Sequence, residues 1–244
     1  MRVFRGFGSL PAFRHAAVTT GSFDGVHRGH RMLLDSVCEA AAVRGGESVV
    51  LTLEPHPRIF FGDRDMRLLT TLDEKISLLE QAGVDNLVVM PFDAELSRMT
   101  AREFVAEYIV GRIGAEHLTV GYNHRFGHDR QGGAEFIAAV QRDFGLQVTE
   151  AGCFDAEGDR VSSTMIRRAV SEGRMQTAAR LAGHLYIIIG TARGGEVAGL
   201  PEYKLLPPDG EYAAKAGETD CTIRISEGKI LIDSDINGLI TITL

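Results

Sequence analysis

The chemistry is densest in ten residues near the amino terminus, Gly21-Ser22-Phe23-Asp24-Gly25-Val26-His27-Arg28-Gly29-His30. Two histidines stand three positions apart around a glycine, where a helical pattern begins. Both imidazoles then face one side of the first turn. The open N–H groups of a helix start, with the positive end of its dipole, suit phosphate oxygens. Imidazoles there can donate to a triphosphate and offset charge that develops in phosphoryl or nucleotidyl transfer. Gly25 and Gly29 let the backbone approach a nucleotide closely. Zinc is the other reading of two close histidines, but no third ligand stands at short spacing, so no metal site is expected. Asp24 can turn the loop through its own backbone or touch the ligand. Phe23 can pack in the core or face the ligand.

The elements around this segment alternate. Ala16–Thr20 reads as a buried strand ending at Gly21, and Met32–Ala42 as a helix stopped by Gly45-Gly46. Ser48–Leu53 is a second strand, ended by Pro55 and Pro57. Helices follow over Thr71–Gln81 and Thr100–Ile113, each opening on Thr-x-x-Glu, the capping-box pattern. Asn86–Met90, His117–Gly121 and Leu146–Ala151 are further strands, with a helix over Gly133–Phe144. Strands separated by helices imply parallel crossovers and a doubly wound α/β sheet. Ligands of such sheets bind beyond the carboxyl ends of the strands.

The chain has 244 residues, 44% hydrophobic and 24% charged, as expected of a folded protein. Its 26 Lys and Arg against 33 Asp and Glu leave a net charge of −7, which excludes broad nucleic-acid binding. No apolar run reaches the ~18–20 residues of a bilayer span, and the start lacks a signal-peptide core. Neither nucleic acid nor a membrane is expected as a partner. Three scattered cysteines, Cys38, Cys153 and Cys221, read as free thiols in a reducing cytoplasm. The last 60 residues contain no Phe, His or Met. A boundary is therefore expected at residue 184, with a small β domain over 185–244. Thr222–Ile225, Lys229–Asp233 and Leu239–Thr243 are its β-prone runs. Glu227-Gly228 and Asn237-Gly238 are turn signals, the second favouring a tight hairpin. An antiparallel meander or part of a barrel is expected.

The Gly21–His30 segment resembles the His-x-Gly-His signature of the nucleotidylyltransferase superfamily. With Phe-Asp-Gly-Val-His it is similar to the bacterial FAD synthetase family, the bifunctional riboflavin kinase/FMN adenylyltransferases. Three more segments match in the family's order, covering residues 1 to about 186. Glu54-Pro55-His56-Pro57-Arg58 with Phe60-Phe61 resembles its flavin-site His-Pro segment. Gly121-Tyr122-Asn123-His124-Arg125-Phe126-Gly127 resembles its Gly-x-Asp/Asn-Phe-x-Phe-Gly loop, with His124 in place of the usual Phe. Val161-Ser162-Ser163-Thr164-Met165-Ile166-Arg167 resembles its Ser-Ser-Thr-x-Ile-Arg motif.

The resemblance implies ATP binding by Gly21, Ser22, Phe23, Asp24, His27, Gly29 and His30, and by Ser162, Ser163, Thr164 and Arg167. It makes His27, His30 and Arg167 the catalytic group. The hydroxyls of Ser162–Thr164 can cap the following helix, and they can equally receive β- and γ-phosphates. Arg167, one turn in, offers a planar fork for pyrophosphate, while Arg168 reads as a solvated neighbour. Flavin contacts are implied for His56, Pro57, Phe61, Asn123 and Phe126, with only one of Phe60 and Phe61 free to stack. Adenylyl transfer from ATP, with Mg²⁺, to FMN as substrate would yield FAD and pyrophosphate.

The tail departs from the family. Leu185–Gly190 and Leu206–Tyr212 look like strand segments of the riboflavin kinase barrel. The Thr-Ala-Asn motif expected between them is replaced around Pro201-Glu202-Tyr203-Lys204. The sequence after it is also too short for the rest of that barrel. The expectation is a degenerate kinase domain without riboflavin kinase activity. Two alternatives stand beside FMN adenylylation: another small-molecule nucleotidylyltransferase, and a non-catalytic flavin- or nucleotide-binding paralogue.

Overall fold

Short runs rich in Val and Leu between helical segments give the sheet its central strands, which are buried on both faces. The computed structural model describes residues 1–121, 127–129, 131, 133–152, 155–156, 159–233 and 235–244. In chain order they form β1 (Arg2–Arg5), β2 (Ala17–Thr20), α1 (Arg28–Val43), β3 (Ser48–Glu54), α2 (Pro57–Phe60) and α3 (Leu72–Gln81). Then come β4 (Asn86–Pro91), α4 (Ala101–Phe104), β5 (His117–Gly121), α5 (Ala134–Phe144) and β6 (Gln147–Ala151). Helix α4 continues as wider π-helical turns over Val105–Arg112. Thr100 and Glu103 close the expected capping box at its start.

By its contacts the chain divides into two compact units. The first comprises Met1–Phe23, Gly29–Arg64 and Leu78–Phe154. The second comprises Asp24–Arg28, Asp65–Ser77 and Asp155–Leu244. The boundary at residue 184 remains a proposal from composition.

The first unit holds a six-stranded parallel sheet in the order β1-β4-β3-β2-β5-β6. Val18, Leu51, Met90 and Leu118 pack on one face against Phe104, Ile109 and Val140. Ala17 packs on the other against Val37 and Ala41 of α1. Each large side chain so buried contributes about 1.5–3 kcal/mol. The fold class expected from the alternating pattern is the one observed. One strand escaped that pattern: β1 is four residues with arginines at both ends, so it shows no hydrophobic run. It adds at the sheet edge, beside β4. The strand order reverses at β2, which lies between β3 and β5. This makes the carboxyl end of β2 a natural ligand position.

The second unit carries the short strands β7 (Asp155–Ala156) and β8 (Asp159–Arg160), then helices α6 (Ser163–Ser171) and α7 (Met175–Ala182). After them come β9 (Ile187–Arg193), β10 (Glu196–Ala198), β11 (Gly210–Ala216), β12 (Thr219–Ser226), β13 (Lys229–Ile232) and β14 (Gly238–Thr243). These six close into an antiparallel barrel in the order β10-β13-β12-β11-β14-β9. Alternation turns Ile188, Ile223, Ile225, Ile230 and Ile242 inward. The expectation of a meander or part-barrel is therefore corrected, because sixty residues suffice to close the ring and leave no open edge. Glu227 and Gly228, both at positive φ, make the two-residue turn between β12 and β13. Asn237-Gly238 makes no hairpin: β14 pairs with β9 and β11 rather than β13. The long-range partner wins over the local turn signal there.

Candidate active site

Asp24, Gly25, Val26 and His27 lie in the second unit, with the start of α6. The loop is tightly wound. Phe23, Gly25 and Val26 take φ values of 47°, 80° and 35°. A β-branched valine there is a strained residue that its surroundings must hold. Those surroundings are polar and specific. The Asp24 carboxylate accepts from Arg167 at 2.7 Å through Oδ2 and from the Thr70 N–H at 3.1 Å through Oδ1. Thr70 Oγ1 in turn accepts from the Gly25 N–H at 3.1 Å. Ser163 donates its hydroxyl to the Asp24 carbonyl at 3.0 Å. His184 Nε2 lies 2.9 Å from the Gly25 carbonyl oxygen.

Two motifs 140 residues apart in sequence are thus bonded to each other within one unit. Ser162 caps α6, its Oγ accepting from the Met165 N–H at 3.4 Å. Arg167 also donates to Thr164 Oγ1 at 3.3 Å. Its guanidinium is mostly buried beside Asp24, whereas Arg168 is exposed and pairs with Glu172. Burial pushes the Asp24 carboxyl above the ordinary carboxylate range, opposed by the Thr70 N–H and by Arg167 and Lys75. Asp24 is thus the partner of both Arg167 and the Thr70 N–H.

Gly25 is required by geometry. Beyond its positive φ, an added Cβ would stand 2.7 Å from Leu69 Cδ1. Gly25→Ala is expected to lower stability by about 1–3 kcal/mol, measured by urea unfolding. An unchanged midpoint would refute the constraint.

His27 is almost fully buried just before α1. Burial lowers its pKa from 6.5 to about 4, and the neighbouring His184 and Arg167 act in the same direction. Its imidazole is neutral at pH 7 and can donate one N–H. Between pH 6.5 and about 4 the unfolded chain takes up a proton that the folded chain refuses. Stability therefore falls as pH falls through that window, by on the order of 3 kcal/mol. His27→Gln is expected to flatten this part of the stability profile. An identical profile would exclude His27 as its source.

Gly21, Ser22, Phe23, Gly29 and His30 lie in the first unit. His30 occupies the first turn of α1, its ring edge-on to the buried Phe23 at 5.3 Å between centroids. Phe23 also lies under Gly21, where a Cβ would come within 3.2 Å of the ring. Phe23 is a buried residue that packs edge-on against His30. At the carboxyl ends of β2, β3 and β4 the same unit opens a cavity of about 540 Å³, walled by Gly21, Ser22, His56, Pro57, Phe61 and Phe92. That volume falls in the range of small-molecule sites. Phe60, Phe61 and Phe92 form an edge-to-face trio with centroids 5.2–5.9 Å apart. Phe61 lines the cavity and is mostly exposed, so it is the ring available for stacking. His56 caps α2, its Nδ1 accepting from the Arg58 N–H at 3.2 Å.

Asn123 and Phe126, with His124, Arg125, Arg130 and Cys153, lie outside the described residues. Cys38 and Cys221 are free thiols. No helix among the described residues is long and apolar enough to cross a membrane. Sequence reasoning missed Thr70, Lys75 and His184. The Thr71–Glu74 capping box marked a helix start there, but nothing local showed that Thr70 faces Asp24.

Residues 10–165 match the family described as FAD synthetase. The chain is 33% identical over 202 residues to the bifunctional riboflavin kinase/FMN adenylyltransferase of Escherichia coli K12, covering 82% of this chain and 64% of that protein. It is 29% identical over 213 residues to a Listeria monocytogenes protein named FAD synthetase, covering 86% of this chain and 85% of that one. A Streptococcus pneumoniae structure titled macrolide-efflux protein superposes with a TM-score of 0.82 at 21% identity, over 100% of this chain and 89% of that chain. That likeness concerns the fold alone.

Proposed function

The chain belongs to the FAD synthetase family, and from that membership we propose that it transfers the adenylyl group of ATP to FMN. The observation that carries this reading is the bonding of the His27 loop to the Ser162–Arg167 helix start through Asp24. That arrangement presents a guanidinium, hydroxyls and a helix start together, a group suited to a polyphosphate.

An oxygen of the FMN phosphate attacks the α-phosphorus of ATP. The bond from that phosphorus to the bridging oxygen breaks, and pyrophosphate leaves with its electron pair. No covalent enzyme intermediate is required, so the protein acts by position and charge. His27 and His30 donate to oxygens of the α-phosphate and leaving group. Ser163, Thr164 and Arg167 hold the pyrophosphate portion. Gly21, Ser22 and Gly29 supply close backbone. His56, Pro57 and Phe61, with Asn123 and Phe126, take the flavin.

Mg²⁺ carried by ATP would offset the negative charge of the phosphates. The donors at α6 are hydroxyls and a guanidinium, and the nearby Asp24 carboxylate is committed to Arg167 and Thr70. They fit a metal carried by substrate oxygens and water rather than a protein cage.

The chain spans 64% of the length of its Escherichia coli relative. We propose that it lacks riboflavin kinase activity, because Glu202, Tyr203 and Lys204 stand where the Thr-Ala-Asn motif is expected. The reducing cytoplasm is its proposed compartment. The test offers FMN and riboflavin separately, each with ATP and Mg²⁺. FAD and pyrophosphate from FMN, with no FMN from riboflavin, is the expected result. Absence of FAD would overturn the adenylyl reading, and FMN formed from riboflavin would overturn the loss of kinase activity.

A further inference from the structure

The peptide group joining Leu69 to Thr70 lies between two buried charges. Its carbonyl oxygen accepts from Lys204 Nζ at 2.7 Å, and its N–H donates to Asp24 Oδ1 at 3.1 Å. Lys204 uses its other donors on Glu74 Oε2 at 2.7 Å and the Ile187 carbonyl at 2.9 Å. Its ammonium also sits 4.3 Å from the centre of the Tyr186 ring. Glu74 accepts from the Thr71 N–H at 2.7 Å and from the Ile189 N–H at 2.9 Å. The side chains of Lys204 and Glu74 are 1% and 0% exposed. Every one of these residues belongs to the second unit.

An apolar pair of similar volume would fill the same space but leave the Leu69 and Ile187 carbonyls and the Thr71 and Ile189 N–H groups without these partners. What it could not supply is a charged donor on the Leu69 carbonyl. Such a donor polarises the peptide group and strengthens the opposite N–H toward the Asp24 carboxylate. Thr70 grips the loop a second time, since its hydroxyl oxygen accepts from the Gly25 N–H. Burial draws the Lys204 pKa down, while Glu74 and Asp24 hold it up.

We propose that Lys204 is a positioning residue of the site: it fixes the Leu69–Thr70 peptide so that Asp24 holds Arg167 in place to receive phosphate. What Arg167 receives rests on the proposed adenylyl transfer; the hold on Asp24 does not. The barrel strand β9, through Ile187 and Ile189, thereby becomes part of the frame of the nucleotide loop.

Lys204→Met alone would strand the Glu74 charge and risks unfolding, so Glu74→Gln is combined with it in the full chain. In the ligand-free protein, amide exchange at Thr70 and Gly25 is expected to quicken by about tenfold, with β11 and β12 unchanged. ATP binding by calorimetry is expected to weaken by about tenfold with FMN binding unaltered. The same double change made in an Arg167→Ala protein is expected to add nothing to that loss. Lys204→Gln with Glu74→Gln keeps a neutral donor and is expected to restore part of both effects. Unchanged exchange at Thr70 and Gly25 overturns the proposal. So does a loss of ATP affinity that multiplies with Arg167→Ala, or a Gln variant no better than Met. If the unaltered protein does not bind ATP, adenylyl transfer fails, and the exchange result still decides the role of Lys204.

Discussion

FAD formation is expected to fall by about 10²–10³-fold when His30 is replaced by Ala, the cost of removing one preorganised donor from a developing negative charge. The position supports a loss of that size. His30 lies in the first turn of α1, where open backbone N–H groups already favour an anion. Its ring is set edge-on against Phe23 at 5.3 Å, a contact that favours this orientation before substrate arrives. The change should appear in kcat at saturating FMN and ATP, because the donation matters most as charge builds on the leaving group. His30→Gln keeps an N–H at similar reach and is expected to recover part of the rate. Thermal unfolding should move little, since His30 is only half-buried. Normal FAD synthesis by His30→Ala would remove this residue from the mechanism.

Arg167→Ala is expected to lower kcat/KM for ATP by about 10²-fold or more while the KM for FMN stays unchanged, as for loss of a charged phosphate donor. A second signature follows from its partner. With Arg167 gone, the Asp24 carboxylate is left in a buried place where its pKa is already raised. A carboxyl with a raised folded-state pKa holds a proton that the unfolded chain has released. Stability then falls as pH rises through that window, and the variant recovers as pH falls. The deficit of Arg167→Ala relative to the unaltered protein should therefore shrink toward acidic pH. Asp24→Ala strands the charge of Arg167 and the Thr70 N–H instead. Its cost is expected at about 3 kcal/mol, as for a broken buried pair. Denaturant titrations across pH would measure both. A pH-independent deficit in Arg167→Ala would show that Asp24 is not the group responding.

Much of this molecule is legible in its sequence. Alternation of short apolar runs with helical segments disclosed the parallel sheet, because strand and helix periods are local properties of the chain. Both Thr-x-x-Glu pairs became capping boxes for the same reason. The tail is less legible from local pattern. Its runs and the Glu227-Gly228 turn were visible, but the pairing of β14 with β9 joins residues about fifty apart, and no local signal encodes it. β1 was invisible because four residues with two arginines carry no pattern of their own.

The amino-acid sequence by itself determined the chemical inventory: two histidines at a helix start, a Ser-Ser-Thr-x-x-Arg helix start, and the aromatic segment after His56-Pro57. Residue types and short spacings suffice for that, since they dictate which donors and charges exist and which share a turn. Only the tertiary structure decided how the inventory is held. It made Asp24 the partner of Arg167, aimed Phe61 rather than Phe60 into the cavity, and set the Leu69–Thr70 peptide between Asp24 and Lys204. The reason is physical. A buried charge is tolerated only where distant segments bring it partners, and those partners are chosen by packing over the whole chain rather than by neighbours in sequence.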